Sequence, residues 1–70
     1  MGIVSKITGK YYLPERCYII LNVAQVSAYL KNGAQLLDIY VGRDEKLCFV
    51  FPKDNFTRDL FDKWVKHELS

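Results

Sequence analysis

Seventy residues, half of them hydrophobic and 14% aromatic, exclude a disordered chain and leave no room for two separate cores, so one small domain over residues 1–70 is expected. Two cysteines are too few for a disulfide framework and no signal-peptide pattern opens the chain, which points to free thiols in a reducing, cytoplasmic setting; no apolar run approaches the ~20 residues that span a bilayer, so no membrane partner is expected. The net charge of +2 is modest but unevenly placed, because Lys6, Lys10, Arg16 and Lys31 stand against Glu15 alone within residues 1–33.

The first 16 residues read as a strand-like arm or a small hairpin. Ile3, Ser5 and Ile7 alternate with Val4 and Lys6, Thr8-Gly9 marks a turn, and Pro14 ends any strand because it has no amide to donate. Cys17–Leu21 is predicted as a strand. Asn22 then suits an N-cap, and a helix is expected over Val23–Lys31 with Val23, Val26 and Leu30 on its core face. Asn32 and Gly33 stop it, with Ala34 packing back on Tyr29.

Leu36 to Phe51, LLDIYVGRDEKLCFVF, alternates as a hairpin should. Leu37, Ile39, Val41, Leu47, Phe49 and Phe51 share the side predicted to face the core. Leu36, Asp38, Tyr40, Cys48 and Val50 share the other, which is too apolar to meet only water and calls for a cover. Pro52 closes the second strand. Asp54 or Asn55 caps a final helix over about Phe56–Leu69, whose stripe of Phe56, Leu60, Phe61, Trp64, Val65 and Leu69 must lie on the sheet. The expected fold is α+β: a β-α-β-β-α core over residues 17–70 with an antiparallel or mixed sheet, both helices on one face, and extra strands or an arm within residues 1–16.

Gln25, Tyr29, Leu30, Lys31, Gly33, Asp38, Ile39, Tyr40, Lys46, Leu47, Phe49, Val50, Phe51, Leu60, Phe61 and Trp64 give a pattern of YLKxG, DIY, LxFVF and LFxxW. Over residues 22–69 this resembles a family of short uncharacterised proteins from Gram-positive bacteria and their phages. Cys48 stands where the family pattern has valine, a mild change for a small buried hydrophobe. The resemblance implies a fold and a phage or mobile-element setting, and it brings no catalytic residue with it.

Motifs for chemistry are sparse. Gly9-Lys10 lacks the earlier glycine and the following hydroxyl residue of a phosphate loop, with Val4 and Tyr11 at those positions. Cys17, Cys48 and His67 fall one ligand short of a zinc tetrad, and His67 sits where it would only complement a helix dipole. Asp44 and Glu45 suit a solvated turn, and Asp38 reads as an edge-strand charge that discourages stray pairing. No catalytic, cofactor or metal site is expected, and the leading expectation is a non-enzymatic interaction protein. Its partner would be another protein or a second copy, a homodimer, docking on the face of Asp38, Tyr40, Cys48 and Val50, unless Ile3, Val4 and Ile7 cover that face within the chain. The alternative is nucleic acid, held by Lys6, Lys10 and Arg16 with Tyr11, Tyr12 and Tyr18 as stacking rings.

Overall fold

In the computed structural model, which describes residues 1–69, the Asn22 side chain accepts from the amides of Ala24 and Gln25 and starts helix α1, Val23–Lys31. Gly33 ends it at φ +91°, a left-handed conformation that costs glycine nothing. The Ala34 amide donates to the Tyr29 carbonyl and that of Gly33 to Leu30, the two bonds of a Schellman stop. Local chemistry alone therefore sets both ends of α1.

Upstream, β1 (Ile3–Val4) and β2 (Tyr11–Tyr12) form a small antiparallel hairpin. A one-turn 3-10 helix, Pro14–Arg16, leads into β3 (Cys17–Ile20). Beyond α1, β4 (Asp38–Val41) and β5 (Leu47–Pro52) flank a second 3-10 turn, Arg43–Glu45. Helix α2, Asn55–Val65, follows, capped by the Asp54 carboxylate accepting from the Thr57 amide at 2.8 Å. The main sheet is antiparallel in the order β3-β5-β4, so the last strand in sequence is the central one and β4 is an edge. The result is the α+β class expected, with the sheet purely antiparallel.

Both helices lie on one face of this sheet. There Val26, Tyr29, Ala34, Phe51 and Leu60 form the main core, with Ile20, Leu36, Phe49, Trp64 and Leu69 packed at its margin. The ring of Phe51 meets Tyr29 edge-on at 5.4 Å and 68°, a favourable aromatic geometry. The core row of α1 differs from the expected one: Val23 and Leu30 are exposed, while Gln25, Val26, Ala28 and Tyr29 are buried. Gln25 tolerates this because its amide donates to the Tyr29 hydroxyl at 2.9 Å. In α2 the expected stripe is trimmed. Leu60 is buried and Trp64 half-buried, Phe56, Phe61 and Val65 are exposed, and the helix ends a turn early where His67 turns left-handed at φ +59°.

The hairpin face also departs from strict alternation. Leu37 donates its amide to the Val50 carbonyl at 2.8 Å, and Asp38 is the register partner of the same Val50. Two residues opposite one is the count of a β-bulge. The bulge turns Leu37 toward the second face, against Tyr12, Cys17 and Val50, and leaves Leu36 on the helix side, the reverse of the expected placement. At the far end Val41 and Leu47 are exposed, because the helices do not reach the hairpin tip.

Candidate interaction site

The second face of the sheet is covered from within the chain by the N-terminal hairpin. Tyr12 lies 5% exposed over Val50 and Cys17, and its hydroxyl donates to Asp38 Oδ2 at 2.5 Å. Ser5 donates to Asp38 Oδ1 at 2.6 Å, and the same oxygen accepts the Ile39 amide at 2.8 Å. Asp38, a buried carboxylate, thus has its charge satisfied by three hydrogen-bond donors and no cation. Burial by itself raises its pKa, but the bonds from Ser5, Tyr12 and the Ile39 amide outweigh that and hold it below the ordinary value. Burial, reinforced by the neighbouring carboxylate, pushes the Tyr12 phenol the other way, well above its usual range.

Ser5 is not poised as a nucleophile. It is 3% exposed, and its oxygen already accepts the amides of Ile7 and Thr8 at 3.1 and 3.0 Å. These bonds shape the turn between β1 and β2 and aim Thr8 at the sheet, where its hydroxyl donates to the Leu37 carbonyl at 2.6 Å. Lys10 adds a longer contact, its ammonium 3.4 Å from the Leu36 carbonyl. The turn is therefore pinned to the start of β4.

Pinning at that end leaves the rest of the β4 edge open. The Gly42 amide donates to the Lys46 carbonyl at 2.8 Å, and Tyr40 faces Cys48 and Asp38 faces Val50 in register. Hydrogen-bonding residues alternate along an antiparallel strand, so Asp38, Tyr40 and Gly42 bond inward to β5 and Ile39 and Val41 point their amides and carbonyls outward. Asp38 seals the Ile39 amide; the Ile39 carbonyl and both groups of Val41 meet no other described residue. Beside this edge runs an open cleft of about 440 Å³, walled by Ile3, Val4, Ile7, Pro14 and Tyr40, with Tyr12 and Asp38 at its floor and Lys6 on its rim.

Of the four residues expected at a protein interface, Asp38, Cys48 and Val50 are buried inside the chain and offer no surface, and Tyr40 alone is exposed. The cover that alternation called for is intramolecular. Ile3, Val4 and Ile7, the alternative cover, instead stay largely exposed along the cleft, and Tyr12 and Ser5 do the covering. One signal pointed to Ser5: it interrupts the apolar row Ile3, Ser5, Ile7, so its hydroxyl needs a buried partner.

The residues expected to hold nucleic acid do not all share one exposed surface. Lys6, Lys10, Tyr11 and Arg16 are exposed, Tyr12 is sealed against Asp38, and Tyr18 lies on the helix side of the sheet, stacked on Phe61 at 6.4 Å with Lys53 over its ring. Among the described residues no helix is long and apolar enough to cross a membrane, and no three His, Cys, Asp or Glu side chains group to hold a metal ion.

Cys17 and Cys48 are free and buried, with the Cys17 thiol pushed up first by burial and then by Glu15. Close approach protects Cys48 further: a Cβ on Gly42 would lie 2.6 Å from its sulfur. Both thiols are expected to react with a disulfide reagent only after denaturant is added. Fast reaction of either in the native protein would contradict the burial described. No protein-family model, curated protein or solved structure matches this chain.

Proposed function

We propose that the chain is a non-enzymatic interaction protein that binds a segment of another protein, or of a second copy of itself, at the free edge of β4 and the apolar cleft beside it. The observation that carries this reading is the pairing of open backbone groups at Ile39 and Val41 with exposed Ile3, Val4, Ile7 and Tyr40. An unpaired edge offers main-chain bonds, and neighbouring pockets for alternate side chains supply selectivity. The resemblance of residues 22–69 supports a phage or mobile-element setting for it.

The test is affinity capture from a bacterial lysate, with and without nuclease treatment, using the wild type and Val41→Pro. The Val41 amide points outward, so proline removes the docking donor without removing an internal ladder bond. A protein retained by the wild type and lost with Val41→Pro, the variant's circular dichroism unchanged, is the expected result. Capture abolished by nuclease would move the function to nucleic acid, and capture indifferent to Val41→Pro would place it elsewhere on the surface.

A further inference from the structure

We propose that the occupant of this edge is a second copy of the chain, with the two β4 strands antiparallel about a two-fold axis at Tyr40, which joins two three-stranded sheets into one of six. This rests on the reading of the β4 edge given above and names its partner. The pattern of sealed and open groups selects the arrangement. Thr8 occupies the Leu37 carbonyl and Asp38 occupies the Ile39 amide, so the outward donor left on β4 is the Val41 amide and the first outward acceptor left is the Ile39 carbonyl. A two-fold at Tyr40 sets Val41 of one copy opposite Ile39 of the other. Each remaining amide then meets a remaining carbonyl, twice, by symmetry.

Sliding the second strand by one residue presents inward-bonded groups, and sliding it by two in one direction brings the Val41 amide to a carbonyl already held by Thr8. Sliding it by two the other way sets Val41 opposite Val41 but leaves the Ile39 carbonyl against Arg43, beyond the end of β4, so the axis at Tyr40 is the one that engages both strand residues with open groups. Side chains fit the same axis. Tyr40 of the second copy falls on the cleft side of the sheet, beside Tyr40 and toward exposed Ile3, Val4 and Ile7, while Val41, 64% exposed, covers Ile39. No charged residue lies opposite a like charge in the paired stretch of residues 39–41. The antiparallel sense also carries Asp44 and Glu45 toward the end of the partner strand where Lys10 sits on the Leu36 carbonyl. Arg43 and Lys46 flank those two acids, so charge at the ends is balanced and does not oppose the contact.

The contact is small, so the association is expected to be concentration-dependent. Sedimentation of the wild type should show mass rising with concentration from 8.2 kDa toward twice that value, and Val41→Pro should stay at the monomer mass. Cysteine pairs read the register. At a two-fold on residue 40, the two Tyr40 positions form a non-hydrogen-bonded pair about 4.5 Å apart between Cα atoms, within reach of a disulfide. The two Val41 positions are about 8 Å apart and beyond it. Under oxidation, in a Cys48→Val background that removes the thiol facing residue 40 across the β4–β5 pair, Tyr40→Cys should cross-link into dimers and Val41→Cys should not, with Cys17 silent because it is buried. A wild type that keeps the monomer mass at every concentration overturns the proposal, as does a dimer that Val41→Cys cross-links as readily as Tyr40→Cys. Neither result touches the wider reading of the edge, which is decided separately by the capture experiment and its loss in Val41→Pro.

Discussion

Phe51→Ala is expected to lower stability by about 3–5 kcal/mol, the range for emptying a buried large aromatic site. A chain of 70 residues has only about 4–10 kcal/mol in total to lose, so the substitution removes a large share of that margin and, at its lower end, all of it. Three features place Phe51 ahead of any other side chain. It has no exposed surface, it joins α1 to α2 through Tyr29 and Leu60, and it sits on the central strand. Hydrogen bonds to β3 and β4 hold β5 on both sides, so the backbone cannot shift to close the cavity.

Trp64, the largest residue of the expected α2 stripe, provides the contrast. It is half-buried at the margin of the cluster, and Trp64→Ala is expected to cost less than Phe51→Ala, although it removes more atoms. Urea titrations followed by circular dichroism rank the two. Phe51→Ala with a midpoint near that of the wild type, or Trp64→Ala as the weaker protein, would show that the core centre has been misplaced.

What sequence made legible here is chemistry that acts within a few residues. Asn22, Gly33 and Asp54 fix helix ends through bonds to their own neighbours, and the chain alone therefore announces them. Periodicity carries less. It establishes that α1 has an apolar face but not its phase: Val23, Val26 and Leu30 make one plausible row, and only packing against Phe51 chooses the row through Val26 and Tyr29. Alternation likewise cannot foresee a bulge, and the extra residue opposite Val50 exchanges the sides of Leu36 and Leu37. The site was half legible. Asp38 was placed on an edge strand, where it does seal an outward amide, but its other partners are Ser5 and Tyr12, 33 and 26 residues away. No local pattern connects residues at such separations. The β4 edge depends on strand order, which required knowing that the last strand would settle in the middle.

Asp38→Ala is expected to destabilise the native state by about 2–4 kcal/mol at neutral pH, because it strands the hydroxyls of Ser5 and Tyr12 and the Ile39 amide in a buried place. Relief of burying the charge itself offsets part of that loss and keeps the figure below the sum of three orphaned donors. The same residue should leave a signature in acid. Its folded pKa lies below the ordinary 3.8 that it regains on unfolding, so the unfolded chain takes up this proton first as the pH falls. The contribution of Asp38 is complete above the unfolded value and disappears as the pH drops through it toward the lower folded one. Asp38→Asn has no proton to gain. The stability gap between wild type and Asp38→Asn should therefore be flat from about pH 7 to about pH 5 and narrow below about pH 4. Tyr12→Phe removes one of the three donors and keeps the carboxylate, which should raise the folded pKa toward the unfolded one, so that this variant loses less stability in acid than the wild type and stops losing it at a higher pH. Urea midpoints of the three proteins across this range provide the measurement. A gap that is constant in acid, or that widens there, would mean that the carboxylate is not held in its charged form by these donors, and that the N-terminal hairpin is fastened to the sheet by its apolar contacts and the Thr8 bond to the Leu37 carbonyl instead.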